Sequence, residues 1–241
     1  MPEMVLLPTN GSDEAAAVEI GSSHLEVTGD FIVLKSPIPL RTISSGVVGA
    51  GTGWYSSFVN RHVNKDYNCR DHREEMSQYL KKQGIEPKET VGMMTAVRTE
   101  DVCYKQYQEE GFSVFFVITA GVGNAVDASR SREYYSNDSS PGTINTWIYI
   151  SGELTEEAFI QSIITATEAK TKALHDLEIR DSLSGTVATG TSTDSILIAS
   201  SQRGQKLEYA GTITPLGQII GKGVYECTVE AIRSSQKRGK K

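Results

Sequence analysis

Two segments of the chain combine residue types that could form a chemical site. In "VATGTSTDS" (187–195), Thr191, Ser192, Thr193 and Asp194 follow Thr189 and Gly190, directly before the apolar run "ILIAS". The second is "TEAKTKAL" (167–174). At about 100° per residue, a helix over 155–177 puts Phe159, Ile163, Ala166, Ala173, Leu174 and Leu177 on one stripe, with Lys170 inside it. A lysine on a buried stripe must snorkel, meet a carboxylate or give up its proton. Glu168 points the other way and is spaced to pair with Lys172 at i,i+4 on a solvated face.

Glycine-rich loops form a second set. "GVVGAGTGWY" (46–55) carries Gly49, Gly51 and Gly53, and "TAGVGNA" (119–125) carries Gly121, Gly123 and Asn124. The dinucleotide pattern G-x-G-x-x-G fails in the first loop: counted from Gly49 the last glycine would be Trp54, and counted from Gly51 it would be Ser56. No Gly-Lys-Ser/Thr triplet closes a Walker loop. A tight corner and a ligand-lining role both remain open for these glycines, and strand-end loops are where sites tend to be built. His24, His62, His72 and His175 lack metal-ligand spacing, and Cys69, Cys103 and Cys227 suit neither a zinc site nor a disulfide framework. No metal site is therefore expected. A G-x-S-x-G elbow is absent as well.

The elements that must position these groups are legible in outline. "HLEVT" (24–28) and "DFIVLK" (30–35) read as a hairpin turning at Gly29-Asp30, after which Pro37 and Pro39 break the ladder. "WYSSFVNRHV" has helical spacing, and "DHREEMSQYLKKQG" reads as a helix capped by Asp71 and stopped by Gly84. Strands are expected at 91–97, 102–107, 112–119, 142–152 and 194–201, that at 112–119 being central and buried on both faces. Thr155 caps the long helix. Thr214-Pro215 opens a last one, whose stripe is Leu216, Ile220, Val224, Cys227 and Ala231, with Gly217 and Gly221 permitting close packing. Residues 125–141 lack periodicity and are expected to form a mobile lid. The expected fold is α+β: one domain, with a mixed, mostly antiparallel sheet and helices packed on its faces. Residues 1–20 form a flexible N-terminal segment, 21–235 the domain and 236–241 a basic tail.

With 241 residues, 38% hydrophobic content and a net charge of −6, the chain suits a single globular core and lacks the basic patch that nucleic acid requires. No apolar run is long enough to span a bilayer, and no secretory signal opens the chain, so neither a nucleic-acid nor a membrane partner is expected and the expected location is cytoplasmic. A homo-oligomer remains possible.

Over roughly residues 24–232 the chain resembles the adenosylcobinamide amidohydrolases of cobalamin salvage. The resemblance rests on "VNRHVNKDY" (59–67) with the first glycine loop, "TAGVGNA", "GTINTWIYI" (142–150), "ATEAKTKAL" (166–174), "ATGTSTDSILIAS" (188–200) and "YAGTITPLGQIIGKGVYE" (209–226), in matching order and spacing. It implies hydrolysis of the amide joining the aminopropanol arm to a corrin, with no separate cofactor because cobalt belongs to the substrate. Such chemistry needs a base, an oxyanion donor and an acid for the leaving amine. Asp194 and Glu168 are the candidate bases and Lys170 the candidate acid. Backbone N–H groups of 119–124 or 189–193 are the candidate oxyanion donors. In a variant, Thr191, Ser192 or Thr193 is the nucleophile and Lys170 its base. Gly49, Gly51, Gly53, Asn60, Gly121, Gly123, Asn124, Asn145, Thr189 and Gly190 are expected to line the corrinoid site. The competing class is a non-catalytic corrinoid- or nucleotide-binding module.

Overall fold

The run Phe112–Ala120 is buried at every residue, as its continuous apolar character requires of a strand covered on both faces. In the computed structural model, residues 18–130 and 142–238 are described. The strands are β1 (Leu25–Val27), β2 (Phe31–Ser44), β3 (Gly51–His62), β4 (Thr90–Thr95), β5 (Cys103–Glu109), β6 (Phe112–Ala120), β7 (Ala125–Val126), β8 (Ile144–Ser151), β9 (Glu153–Leu154), β10 (Gly190–Thr191), β11 (Ser195–Ser200) and β12 (Lys206–Leu207). The α-helices are α1 (His72–Lys82), α2 (Glu156–Asp176) and α3 (Pro215–Arg238).

One sheet runs β4-β3-β2-β11-β8-β6-β5, with β1 added to β2. Only β3–β4 and β8–β11 are parallel within it, so the mixed, mostly antiparallel α+β reading holds. β6 is second from the sheet's edge rather than central.

Period-two alternation sorts the core into three layers. Val114, Phe116, Ile118, Ile148, Ile150 and Ile198 face α2 and α3. Their strand neighbours Phe115, Val117, Trp147, Tyr149, Leu197 and Ala199 face the other way, onto Ile32, Leu34, Phe58, Val91 and Met93. The sheet has therefore doubled over. Phe58 meets Tyr149 edge-on at 5.1 Å, and Trp147 Nε1 donates to Met93 Sδ at 3.2 Å. Val33 and Val59, on the far side of the folded half, pack on Met76 and Leu80 of α1. The bend lies where β2 and β3 lose register between Lys35 and Leu40. Pro37 and Pro39 occupy that irregularity; they interrupt the ladder without ending the strand, because neither has an N–H to give.

One element differs in kind from its sequence reading. Residues 54–63, whose spacing predicts a helix, belong mainly to β3. Phe58 and Val59 are both fully buried, one in each layer, so the middle of the strand shows no alternation to betray it. Partners on both edges, β2 and β4, decide the matter. The helices otherwise match. Thr155 Oγ1 accepts from Ala158 N at 3.2 Å, Asp71 caps α1, and the α3 stripe is buried. Gly217 is needed where α3 begins, since a Cβ there would lie 1.9 Å from Gly211 O. Gly221 is not, having ordinary clearance from Thr165.

Candidate active site

Lys170 Nζ lies 2.5 Å from Asp194 Oδ2, joining the anomalous lysine to the carboxylate of the hydroxyl-rich loop. The two side chains are 15% and 18% exposed. α2 runs over the sheet with Lys170 near its C-terminal end, above the start of β11. Asp194, the residue before that strand, thus stands at a strand end. Its other oxygen, Oδ1, accepts from Thr191 Oγ1 and from Ile144 N at 3.1 Å. Among the described residues, three of the carboxylate's four lone-pair directions are then occupied, while two of the ammonium's three N–H donors remain available. Gly190 supplies the room: a Cβ there would lie 2.6 Å from Asp194 Oδ2 and 3.0 Å from Lys170 Nζ.

The pair opens onto a cavity of about 180 Å³ between α2 and the sheet, lined by Ala166, Thr167, Ile144, Thr146, Ser195 and Ile196 besides the pair itself. Sequence reasoning missed these lining residues. Thr146 carries a usable signal, a polar residue on the helix-facing side of a buried strand. Ile144 carries none, because it acts through its backbone N–H.

The two loops singled out in the sequence zip together. Ala125 pairs with Thr191 and Val126 with Gly190, antiparallel. Asn124 Nδ2 donates to Ser192 Oγ at 2.8 Å, and Thr193 Oγ1 donates to Gly142 O at 2.8 Å. Gly121 and Gly123 close against Gly142, whose absent Cβ would clash with Gly121 O and Gly123 N. Behind them, Asp127 accepts from Thr186 and Ser129, and Asp181 from Leu183 N and Ser184 N. Both carboxyls sit below the usual range, held there chiefly by the Thr186 hydroxyl and the Leu183 N–H respectively. Thr189 belongs to this brace, its Oγ1 accepting from Ala128 N. The described beginning of the expected lid, 125–130, is thus pinned to this ladder, and 131–141 lie outside the described residues.

Several expected site residues lie elsewhere. Glu168 is exposed on the outer face of α2 and away from the cavity. Its expected partner Lys172 pairs instead with Asp176, which Tyr225 OH also holds from α3. Asn60 and Asn145 are buried on the opposite face of the sheet from the cavity, where Asn145 Nδ2 donates to Asn60 Oδ1 at 2.8 Å and Asn60 Nδ2 to Thr119 Oγ1. They staple the two halves of the doubled sheet. Gly49 (φ +68°) turns the β2–β3 corner against β4, where a Cβ would lie 2.7 Å from Thr90 O. Gly51 and Gly53 begin β3 and do not line the cavity. Three candidate oxyanion N–H groups are already committed: Gly121 to Thr143 O, Thr189 to Val126 O and Ser192 to Asn124 O. Among the described residues, no group of three or more His, Cys, Asp or Glu side chains is placed to hold a metal ion. The three cysteines are free thiols. No described helix is long and apolar enough to cross a membrane.

Residues 15–240 match the family described as adenosylcobinamide amidohydrolase. The chain belongs to that family. An adenosylcobinamide amidohydrolase of Methanosarcina mazei is 30% identical, over 85% of this chain and 92% of that one. An uncharacterized protein of Methanocaldococcus jannaschii is 28% identical, over 72% of this chain and 73% of that one. An uncharacterized ABC transporter ATP-binding protein of Bacillus subtilis is 26% identical over 95% of this chain, which spans only 42% of that relative's length. Among solved structures, a Burkholderia sp. β-aminopeptidase superposes with a TM-score of 0.43 at 11% identity, covering 87% of this chain and 79% of its own. Membership in the adenosylcobinamide amidohydrolase family places the chain among enzymes that hydrolyse an amide bond.

Proposed function

We propose that the chain hydrolyses the amide between the aminopropanol arm and the corrin ring of adenosylcobinamide, giving adenosylcobyric acid and 1-aminopropan-2-ol for cobalamin salvage. The observation that carries this reading is the paired Lys170 and Asp194 on the wall of a small cavity. At about 180 Å³ that cavity is below the ~300–1,000 Å³ of pockets that enclose a drug-sized ligand. It suits a side arm, with the macrocycle left outside.

In the mechanism we favour, a water in the cavity attacks the amide carbon and passes a proton to the unoccupied lone pair of Asp194. Thr191 and the Ile144 N–H hold that carboxylate in place. Lys170 stabilises the developing oxyanion with one free N–H and protonates the leaving amine with another. Asp194 then returns its proton to Lys170, leaving a carboxylic acid, an amine and an unchanged enzyme. A water nucleophile is preferred to Thr191, Ser192 or Thr193 because none of these hydroxyls lines the cavity.

Incubation with adenosylcobinamide tests the reading. Release of free 1-aminopropan-2-ol supports it, whereas retention of corrinoid without release favours a binding module. Turnover is expected to survive exhaustive dialysis against a chelator, and restoration by zinc of activity lost on dialysis would require a metal in the scheme.

A further inference from the structure

Most of the helix-facing surface of the sheet is covered, α2 lying over β11 and α3 over β6 and β5. Among the described residues, nothing covers the β2–β3 part of that surface. Directly opposed residues share a face, so the row Ile148–Ile198–Ile43–Thr52 crosses β8, β11, β2 and β3 on the helix side, followed by the row Ile150–Ser200–Arg41–Trp54. In the first row Thr52 is exposed and Ile43 half-buried. In the second, Trp54 is 57% exposed, an unusual fraction for so large an aromatic ring.

The free flank of α2 stands beside this floor. Arg41 crosses to it, pairing with Glu156 and lying 5.3 Å over the Phe159 ring. Further along the same flank come Ile160, Ile163 and Thr167, and Ile160 is 56% exposed. Floor and wall thus form an open trough. The Arg41–Glu156 bridge closes one end, and the other runs into the cavity of Lys170 and Asp194 through shared residues Ile196 and Thr167. From Ile196 to Trp54 the floor extends roughly 13 Å along the strands and 10 Å across them.

We propose that this trough is the corrin-binding face: the macrocycle lies against Trp54, Thr52 and Ile43 beside Ile160, and its aminopropanol arm enters the cavity. The inference rests on the proposed substrate. It follows from continuity with the cavity, which is too small for the ring, and from the chemistry of the floor. A broad, flat, mostly apolar ligand fringed with amides matches an aromatic and aliphatic surface rimmed by Thr52, Thr167 and the guanidinium of Arg41. Trp54 is then a specificity-determining residue.

The test compares wild type with Trp54→Ala, Trp54→Phe and Thr52→Arg, and with Tyr104→Ala as a control from the opposite edge of the sheet. Equilibrium binding and steady-state kinetics with adenosylcobinamide are measured beside turnover of a short N-(2-hydroxypropyl) amide that lacks the ring. Trp54→Ala and Thr52→Arg are expected to raise Kd and KM at least ~10-fold with kcat within about 3-fold, an effect of ~1.4 kcal/mol. Trp54→Phe and Tyr104→Ala are expected to stay near wild type, and the ringless amide to be turned over equally by all five proteins. Unchanged corrinoid binding in Trp54→Ala and Thr52→Arg, with wild type active, overturns the trough alone. A Trp54→Ala protein that changes its mass in solution while binding corrinoid normally makes the face a self-association surface and overturns it too. Wild type that neither binds nor cleaves adenosylcobinamide overturns the proposed function, and this inference with it.

Discussion

Two lysine–carboxylate clusters stand on the helix side of the sheet, and they are built for different ends. Lys105 on β5 reaches Glu230 at 2.5 Å and Glu226 at 3.2 Å on α3, and Tyr107 OH donates to Glu226 at 2.7 Å. Cys103 Sγ donates to Glu230 at 3.3 Å. Two carboxylates thus share one lysine, a phenol and a thiol donate to the same carboxylates, and the cluster binds a helix to a strand. Among the described residues, Lys170 has a single carboxylate partner, a cavity beside it and a glycine where a side chain would intrude. A lysine–carboxylate pair alone therefore says little; what distinguishes a chemical site is unused donor and acceptor capacity facing a space that a ligand can enter.

The sharpest way to break this contrast is at the pair itself. Lys170→Met is expected to keep the fold, since methionine fills similar volume, and to lower aminopropanol release at least ~10²-fold, the scale of losing a positioned acid or base. Asp194→Asn should match it while corrinoid Kd stays within a few-fold. Near-normal turnover in Lys170→Met would reduce that lysine to a brace like Lys105.

Gly190→Ala tests whether the space matters as much as the charges. The new methyl would push against Asp194 Oδ2 and Lys170 Nζ, and displacement by a fraction of an ångström is expected to cost roughly tenfold or more in kcat. An unchanged melting temperature with lowered kcat would support this; full activity would show that the pair tolerates displacement.

The structural cluster should respond in stability and not in turnover. Glu226 and Glu230 are both held below the usual carboxylate range, Glu226 chiefly by the Tyr107 hydroxyl and Glu230 chiefly by Lys105. Depressed folded values mean that their stabilisation is present above the unfolded value of about 4.3 and is lost as pH falls through the folded values. Lys105, raised above its ordinary value chiefly by Glu230, keeps its share until alkaline pH. Lys105→Met is expected to cost no more than about 1 kcal/mol at pH 7, as for a solvent-screened pair, and the difference in thermal melting should shrink as pH falls below the ordinary glutamate range and vanish once both carboxyls are protonated. Kinetics at pH 7 should be unaltered. A large loss of turnover would erase the distinction between the clusters.

Lys172→Met gives the smallest effect. Its side chain is 62% exposed and paired only with Asp176 along the helix, so both stability and turnover should stay near wild type. A Lys172 loss equal to that of Lys170 would place the reactive face of α2 on the wrong side.

Much of this contrast was legible before the fold was known. Helical periodicity alone isolates Lys170, because a charged residue on an apolar stripe conflicts with its neighbours. Asp194 stands out as the carboxylate closing a hydroxyl-rich run before an apolar strand. Caps at Asp71, Thr155 and Thr214 bound their helices, and a continuous apolar run marks β6. These are local signals, set by backbone hydrogen bonding and by periods of two or 3.6 residues.

Tertiary structure decided the rest, for a physical reason in each case. Residues 54–62 became strand because β2 and β4 supplied hydrogen bonds on both edges, and burial of adjacent Phe58 and Val59 on opposite faces erases the alternation there. Asn60 and Asn145, plausible ligands for an amide-fringed corrin, bond to each other because the sheet doubles at the proline bulge and brings distant strands face to face. Gly49, Gly51 and Gly53 serve the β2–β3 corner, while Trp54, beside them in the chain, lies on the open face of β3. Gly190 and the Ile144 N–H matter through what stands within a few ångströms of them. Residue type and spacing nominate the lysine and the aspartate; only packing sets them 2.5 Å apart, at the mouth of a cavity and the end of a trough, because distances between segments far apart in sequence are fixed by the folded chain alone.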